Sequence, residues 1–312
     1  MAPSLKPFRF GLQMHGPFSD MSWLDSARKV EDLGFDTLFM PDHFTEQYSP
    51  ISALSAAAAV TTRINVGTLV FGNDYRHPVV LAKEIATLDN IAEGRVEFGL
   101  GAGWMRTDYD QAGMTYDRPG VRIERMEEAL QVIRGCWSNE EFSFSGEHFT
   151  IDGYTGFPAP HTPGGPRLII GGGGPRMLGV AARNGDIVGV TANLRAGEVG
   201  PDAIADSHPD AYDAKIARVQ AAADGRDVEL SSLTMTSIVT DDRAASLSGI
   251  AEMFGWPVEV VQNTPALLVG SVDEICNTLM ERRERWGFSY VVVQDDDHYE
   301  AFAQVVDRLS GS

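Results

Sequence analysis

The run Arg167-Leu168-Ile169-Ile170-Gly171-Gly172-Gly173-Gly174-Pro175-Arg176 joins an apolar segment of strand length to four glycines and a proline. Glycine has no Cβ, so a ligand can approach the backbone closely, and proline suits the first helical position. Because the first N–H groups of a helix have no partner within it, they can bind an anion. The run therefore predicts a strand, a phosphate-binding loop and a helix, with a merely flexible turn as the alternative. It matches neither GxGxxG nor GxxxxGK[ST], so we expect the phosphate to belong to a cofactor or substrate of another α/β fold.

Strand-like and helix-like segments alternate along almost the whole chain. Short apolar stretches are each followed by apolar residues at helical spacing. The predicted strands are 10–14, 37–40, 64–71, 96–100, 168–171, 186–191, 233–239 and 290–294. Eight such units are typical of an α/β protein with a (β/α)8 TIM barrel and are many for an open sheet. We predict one domain over residues 1–312, with an insertion region after strand four at about 105–166.

Composition and charge limit the classes of partner. The chain has 312 residues and a formal net charge of −19, from 25 basic and 44 acidic residues. An acidic surface repels nucleic acid and anionic lipid, so we expect neither as a partner. The N-terminus has no apolar signal core, and no uncharged apolar run reaches the roughly 18 residues of a membrane span. Cys136 and Cys276 are expected to be buried, reduced thiols. We expect a cytoplasmic protein that acts on a small molecule.

Histidines fall where three of the predicted strands end. His15, His43 and His298 follow strands one, two and eight, and the loops at this end of a TIM barrel carry its active site. A carboxylate beside an imidazole can fix its tautomer and shift its proton affinity. We therefore predict Asp42 and His43 as catalytic residues. The alternative is that Asp42 caps a turn and His43 is an ordinary polar loop residue.

Small and acidic residues mark two further strand ends. Gly99, Gly101 and Gly103 alternate before Trp104, which would leave room for a flat ring, unless they mark a bend at the barrel rim. The run Asp295-Asp296-Asp297-His298 could bind a hard metal ion, but such a run is more often a solvated turn, and no further ligand spacing supports a metal. We predict no metal. The absence of HExxH, paired CxxC and GxSxG motifs removes the best evidence for zincin, zinc-ribbon and serine-hydrolase classes.

Taken together, these motifs resemble the bacterial-luciferase-like superfamily of barrel oxidoreductases, and most of all its branch that uses the deazaflavin coenzyme F420. The resemblance covers nearly the whole chain. Its marks are Pro41-Asp42-His43-Phe44, Gly67-Thr68-Leu69-Val70, Gly99-Leu100-Gly101-Ala102-Gly103-Trp104, Arg122-Ile123-Glu124-Arg125-Met126-Glu127-Glu128 and Gly173-Gly174-Pro175.

The resemblance implies an oxidoreductase that transfers a hydride between coenzyme F420 and a small organic substrate. It implies that Asp42 contacts the ring, that His43 lies next to the transferred hydride, and that a non-proline cis peptide bond at Leu69–Val70 forms a bulge behind the ring. The glycines after strand five would hold the side chain and phosphate of the cofactor, with Arg176 as a charge partner and Thr191 as a further contact. The predicted cofactor-binding residues are Asp42, Leu69, Val70, Gly101, Ala102, Gly103, Gly172, Gly173, Gly174, Pro175, Arg176 and Thr191.

The chain departs from the sugar-phosphate dehydrogenases of this branch at two positions. Where they carry a glutamate after strand four and an acid after strand one, this chain has Ala102 and Gln13. A sugar-phosphate substrate is therefore in doubt, and His43 is the best candidate for proton transfer, with His15 second.

Three other functions stay open at the level of sequence. One is an FMN-dependent monooxygenase of the same family, and another is a barrel that binds a flavin-like ligand without turnover. A sugar-cleaving barrel would need two facing carboxylates, which Asp42 and the run of aspartates at 295–297 could supply. The resemblance also allows a homodimer, since members of this superfamily often pair through barrel helices.

Overall fold

The computed structural model describes residues 5–198, 200–294 and 298–312. The strands in these residues are β1 (Arg9–Gln13), β2 (Thr37–Met40), β3 (Asn65–Thr68), β4 (Phe71–Gly72), β5 (Val96–Gly101), β6 (Phe142–Ser145), β7 (Thr150–Tyr154), β8 (Arg167–Gly172), β9 (Ile187–Val190), β10 (Glu229–Leu233), β11 (Thr236–Val239), β12 (Leu267–Gly270) and β13 (Phe288–Gln294). The helices are α1 (Trp23–Asp32), α2 (Pro50–Val60), α3 (Pro78–Ile91), α4 (Arg106–Ala112), α5 (Pro119–Cys136), α6 (Pro175–Asn184), α7 (Pro201–Ala205), α8 (Pro209–Ala223), α9 (Arg243–Phe254), α10 (Val258–Asn263), α11 (Val272–Trp286) and α12 (Tyr299–Leu309).

Eight of the described strands form a closed parallel barrel. Their order is β1, β2, β3, β5, β8, β9, β10 and β13, and pairing of β13 with β1 closes the ring. β4 lies beyond β3 and pairs with the same neighbour, β5. The strands β2 and β9 are buried along their whole length, because such strands face the barrel interior on one side and helices on the other. The predicted α/β class and (β/α)8 TIM barrel are confirmed.

The seventh barrel strand lies earlier in the chain than the sequence indicates. The prediction placed it at 233–239, whereas the barrel strand is β10 at Glu229–Leu233. Ser231 and Ser232 point into buried surroundings and interrupt the apolar signal that a buried strand usually gives. The more apolar β11 leaves the barrel, pairs in parallel with β12 and packs on a small separate cluster formed by α9, α10 and β12.

The chain between β5 and β8 forms two helices and a hairpin. α4 continues to Ala112 and ends at Gly113, which has the left-handed φ of 68° that favours glycine. The hairpin consists of the antiparallel pair β6 and β7. The Pro- and Gly-rich stretch at 157–166 has neither helix nor strand. That this region is an insertion stays a prediction.

Proline begins several of the helices that surround the barrel. It occupies the first turn of α2, α3, α5, α6 and α8, where its missing N–H costs no hydrogen bond. In the described part of the chain, no helix combines the length and the apolar character needed to cross a membrane. Cys136 and Cys276 are buried and unbonded, as predicted, and burial raises the pKa of the Cys136 thiol to about 11.

An ionic network fills the barrel interior at the beginnings of the strands. The Arg9 guanidinium pairs with Glu97 and, at 3.1 Å, with Glu229, and lies 4.2 Å from the centroid of the Tyr290 ring. The Tyr290 hydroxyl donates to Glu97 and lies 2.7 Å from the Thr37 hydroxyl. Burial and the Glu97 charge raise the pKa of Tyr290 well above its usual value, so it stays a donor. These five residues link β1, β2, β5, β10 and β13 at the end of the barrel opposite the loops that follow the strands.

Candidate active site

A cavity of about 670 Å3 opens where the barrel strands end. Every site residue predicted from the sequence lines it, and His15 does so as well. The predicted residues are Asp42, His43, Leu69, Val70, Gly101, Ala102, Gly103, Gly172, Gly173, Gly174, Pro175, Arg176 and Thr191. His298 is not among the described lining residues, and the run Asp295, Asp296 and Asp297 lies outside the residues that the structure describes. Among the described residues, no group of three or more His, Cys, Asp or Glu could hold a metal ion.

A bulge between β3 and β4 forms one wall of the cavity. The Leu69–Val70 peptide bond is cis, as the resemblance implies. The Gln13 side-chain amide donates to the Leu69 carbonyl at 2.8 Å, so Gln13 supports the bulge. A Cβ on Gly99 would overlap the Thr68 carbonyl, and one on Gly101 would collide with the Val70 side chain. These glycines thus make room for the bulge, rather than directly for a ring as the sequence suggested, and the bulge shapes the wall.

The Asp42 carboxylate accepts hydrogen bonds from residues that follow the bulge. Arg76 donates to its two oxygens at 2.6 and 3.1 Å, and the Gly72 N–H donates at 3.0 Å. Bidentate pairs of this kind are among the strongest polar contacts in proteins. The interpretation of Asp42 as the carboxylate that orients His43 is therefore wrong. Its contact with a cofactor ring stays a prediction.

The carboxylate that pairs with His43 is Asp108, on α4. The His43 Nδ1 atom lies 2.7 Å from Asp108 Oδ2, which also accepts from the Tyr75 hydroxyl at 3.0 Å, while Oδ1 accepts from the Phe44 N–H at 3.1 Å. Burial and the Asp108 charge raise the pKa of Tyr75 far above its usual value, so its hydroxyl remains a donor. With Nδ1 held by a carboxylate, Nε2 is the nitrogen left for a ligand. Trp104 packs edge-on against the imidazole, with 5.6 Å between ring centroids.

Sequence reasoning missed Asp108 because it treated the residues at about 105–166 only as an insertion after strand four. The signal that could have found it is an aspartate in the first turn of a short helix, directly before Tyr109 and close after a strand end. Asp108 is only 1% exposed, and buried carboxylates are nearly always paired or hydrogen-bonded.

The glycine run leads directly into α6, as predicted. Gly174 caps the helix and Pro175 begins it, so the N–H groups of the next two residues lack partners within the helix. A Cβ on Gly173 would overlap the backbone carbonyl of Ala192 in the loop after β9. The absence of a side chain at Gly173 is therefore what allows the two loops to lie against each other at the cavity edge.

A buried lysine, Lys215, holds the loop after β9 in place through its side-chain ammonium group. Lys215 donates to the Thr191 carbonyl at 2.9 Å and forms an ion pair of 2.5 Å with Asp206. The same carboxylate oxygen of Asp206 accepts the Asn193 N–H at 2.7 Å. Burial lowers the pKa of Lys215, although the Asp206 charge opposes that effect. This pair was missed, since a lysine and an aspartate near helix α8 look like surface residues in sequence.

Two arginines near the helix starts differ in their surroundings. Arg176, the predicted charge partner of a phosphate, is half-exposed and pairs with Glu124 at 3.0 Å and Glu127 at 3.6 Å. Arg122 is 3% exposed, lies 4.0 Å from the Tyr116 ring centroid, and its Nε has no hydrogen-bond partner in the described part of the chain. Because a buried polar group without a partner is costly, Arg122 is the stronger candidate for binding an anion.

The chain matches a known protein family over most of its length. The sequence model of the family described as luciferase-like monooxygenase matches residues 13–258. A relative from Kineococcus radiotolerans, named F420-dependent glucose-6-phosphate dehydrogenase, is 30% identical over 190 residues, which are 58% of this chain and 56% of the relative. The chain thus spans little more than half the length of that relative.

Solved structures share the fold over almost the entire chain. The coenzyme F420 dependent tetrahydromethanopterin reductase from Methanopyrus kandleri has a TM-score of 0.78 at 20% identity, covering 97% of this chain and 98% of that one. The oxygenating constituent of 3,6-diketocamphane monooxygenase from Pseudomonas putida, in complex with FMN, has a TM-score of 0.71 at 18% identity, covering 97% of both chains. At these identities the likeness concerns the fold alone.

Proposed function

This chain belongs to the luciferase-like monooxygenase family, and we propose that it is an oxidoreductase that transfers a hydride between coenzyme F420 and a small organic molecule. The observation that carries the proposal is one cavity that joins the bulge at Leu69 and Val70 to the start of α6 and to the buried Arg122. The name of the relative from Kineococcus radiotolerans supports the choice of F420.

The residues present fit a flat ring with an anionic side chain. The ring would rest against the bulge, and the N–H groups at the start of α6 would bind the phosphate with the help of the helix dipole. The guanidinium of Arg122, with its unpartnered Nε, would supply a full positive charge on the same side of the cavity. When bound, F420 supplies or accepts a hydride, which is two electrons and one hydrogen nucleus.

We assign the matching proton to His43. The Nε2 atom of His43 would donate a proton to the substrate as it is reduced, or accept one as it is oxidised, and would then exchange with water. Asp108 would fix the orientation and the tautomer of the imidazole through Nδ1. Positioned acid–base catalysis of this kind contributes on the order of 10²- to 10⁴-fold in rate.

Binding of F420 and FMN to the purified protein tests the cofactor. We expect F420 to bind at micromolar concentration, followed by the polarisation of its own fluorescence, and FMN to bind more weakly. Binding of FMN in preference to F420 would overturn the proposal and favour the flavin monooxygenase, which the likeness to an FMN-bound structure keeps as the second candidate.

A matched pair of variants tests the anion site. Arg122→Met removes the lining cation, and we expect the dissociation constant for F420 to rise about 10- to 100-fold, as for the loss of a charged hydrogen bond. Arg118→Met removes the same charge from an exposed residue at the start of the same helix, and we expect little change. Equal effects of the two variants would contradict the assignment of Arg122.

Several expectations from the sequence remain proposals. We propose that residues 1–312 form one domain, that the protein works in the cytoplasm on a small molecule rather than on nucleic acid, and that it forms a homodimer. Sedimentation of the purified protein measures the last of these directly.

A further inference from the structure

Charged side chains are unevenly distributed around the mouth of the cavity. The arginines among the described lining residues are Arg122, Arg176 and Arg195, which follow β5, β8 and β9. These three strands are neighbours in the barrel, so the positive charges occupy one continuous arc, which includes the start of α6.

The opposite arc follows β10, β13, β1 and β2, which are also neighbours. The described lining residues of this arc include no lysine or arginine. Those that carry the argument are Leu233, Gln294, His15, His43 and Thr45. The Asp42 carboxylate belongs to this arc as well, but it is held by Arg76.

We propose that the substrate is an uncharged molecule with one polar group beside His43 and an otherwise largely apolar body. The inference rests on the proposed function, in which the anionic part of the cofactor takes the arginine arc. The substrate then lies against the opposite arc, where Thr45 and Gln294 offer neutral hydrogen-bonding groups and Leu233 offers an apolar surface.

Desolvation gives this arrangement its selectivity. A carboxylate or phosphate that enters the cavity must leave water, which is costly unless a cation or several donors replace its hydration. The described residues of this arc include no lysine or arginine, and the imidazole of His43 already faces the Asp108 carboxylate. The net charge of −19 repels anions further. A sugar phosphate, such as the one in the name of the Kineococcus relative, is therefore disfavoured by the arc that contains His43.

The test compares neutral and anionic ligands of the same shape. Protein saturated with oxidised F420, which has no hydride to give, is titrated by calorimetry at pH 8 with cyclohex-2-enone and with its 3-carboxylate, and also with glucose 6-phosphate. We expect the neutral ketone to bind at least about tenfold more tightly than either anion, as follows from an uncompensated charge in a partly dehydrated site.

Two variants place one lysine at different points of the same loop. Thr45→Lys adds a cation to the cavity wall, and we expect it to reduce the preference for the neutral ketone about fivefold or more. Ser49→Lys adds the same charge at an exposed residue that does not line the cavity, and we expect the preference to remain.

The outcomes separate this inference from the proposed function. Failure to bind F420 in the first step would defeat the proposed function itself. If F420 binds and the neutral ketone does not bind more tightly than its carboxylate, the inference of an uncharged substrate is overturned. The same holds if Thr45→Lys and Ser49→Lys change the preference equally.

Discussion

Replacing Asp108 by asparagine tests the acid–base assignment most directly. The substitution keeps the size of the side chain but removes its charge. It also replaces one accepting oxygen by an NH2 group, which can only donate. In the native protein the two oxygens of Asp108 accept from the Tyr75 hydroxyl and the Phe44 N–H, and one of them lies 2.7 Å from His43 Nδ1. The asparagine cannot satisfy all three partners, and its NH2 group would favour the wrong tautomer of His43.

The expected loss follows from these contacts. A hydrogen bond to a charged group contributes about 1.5–3 kcal/mol, and about 1.4 kcal/mol corresponds to a tenfold change in rate. We therefore expect kcat to fall about 10- to 100-fold, with KM changed less than about threefold, since Asp108 does not itself line the cavity.

The assay follows F420 absorbance under steady-state conditions at one fixed pH, and it gives kcat and KM separately. Asp110→Asn is the matched control, because Asp110 is an exposed residue of the same helix. Circular dichroism shows whether each variant is folded. An Asp108→Asn protein whose kcat equals that of Asp110→Asn would refute the role of Asp108, and a fall in thermal stability with kcat unchanged would reduce that role to a structural one.

Three further substitutions probe the loops and the barrel. Gly173→Ala should weaken F420 binding about tenfold or more in a fluorescence titration, because its Cβ would overlap the neighbouring loop. Gly200→Ala, whose Cβ would meet nothing within 4 Å and which does not line the cavity, should change F420 binding little. Lys215→Met should also weaken F420 binding, about three- to tenfold, by releasing the loop after β9, and Lys83→Met, at an exposed position, should not. Tyr290→Phe should lower the free energy of unfolding in urea by about 1–3 kcal/mol and leave F420 binding intact; weaker F420 binding would contradict the separation of the barrel interior from the site.

Most of the barrel could be predicted from the sequence because its strands are short, apolar and regularly spaced. The position of the glycine run after β8 was also predicted correctly, because the apolar strand, the glycines and the proline that begins the helix are adjacent in the sequence. The seventh strand was misplaced because Ser231 and Ser232 face buried surroundings that sequence periodicity cannot reveal. Strand boundaries of this kind depend on tertiary contacts.

The error over Asp42 has a geometric cause. Adjacent residues at the end of a strand point to opposite sides, so Asp42 and His43 are poorly placed to bond each other despite being neighbours. The partner of His43 is 65 positions away in the chain, and no spacing rule connects the two. Arg122 and Lys215 were missed for a related reason, because a cation on an amphipathic helix looks solvent-exposed until the packing around it is known.

The ionic network centred on Arg9 has a consequence for how such a protein can change over generations. Its members come from the beginnings of the strands, whereas the cavity is built from their ends. A substitution that abolishes ligand binding at the mouth should therefore leave a folded but inactive molecule, which remains available for later mutations to give it a different specificity. Selection for folding therefore acts on residues at one end of the barrel, and selection for a new specificity acts on residues at the other end.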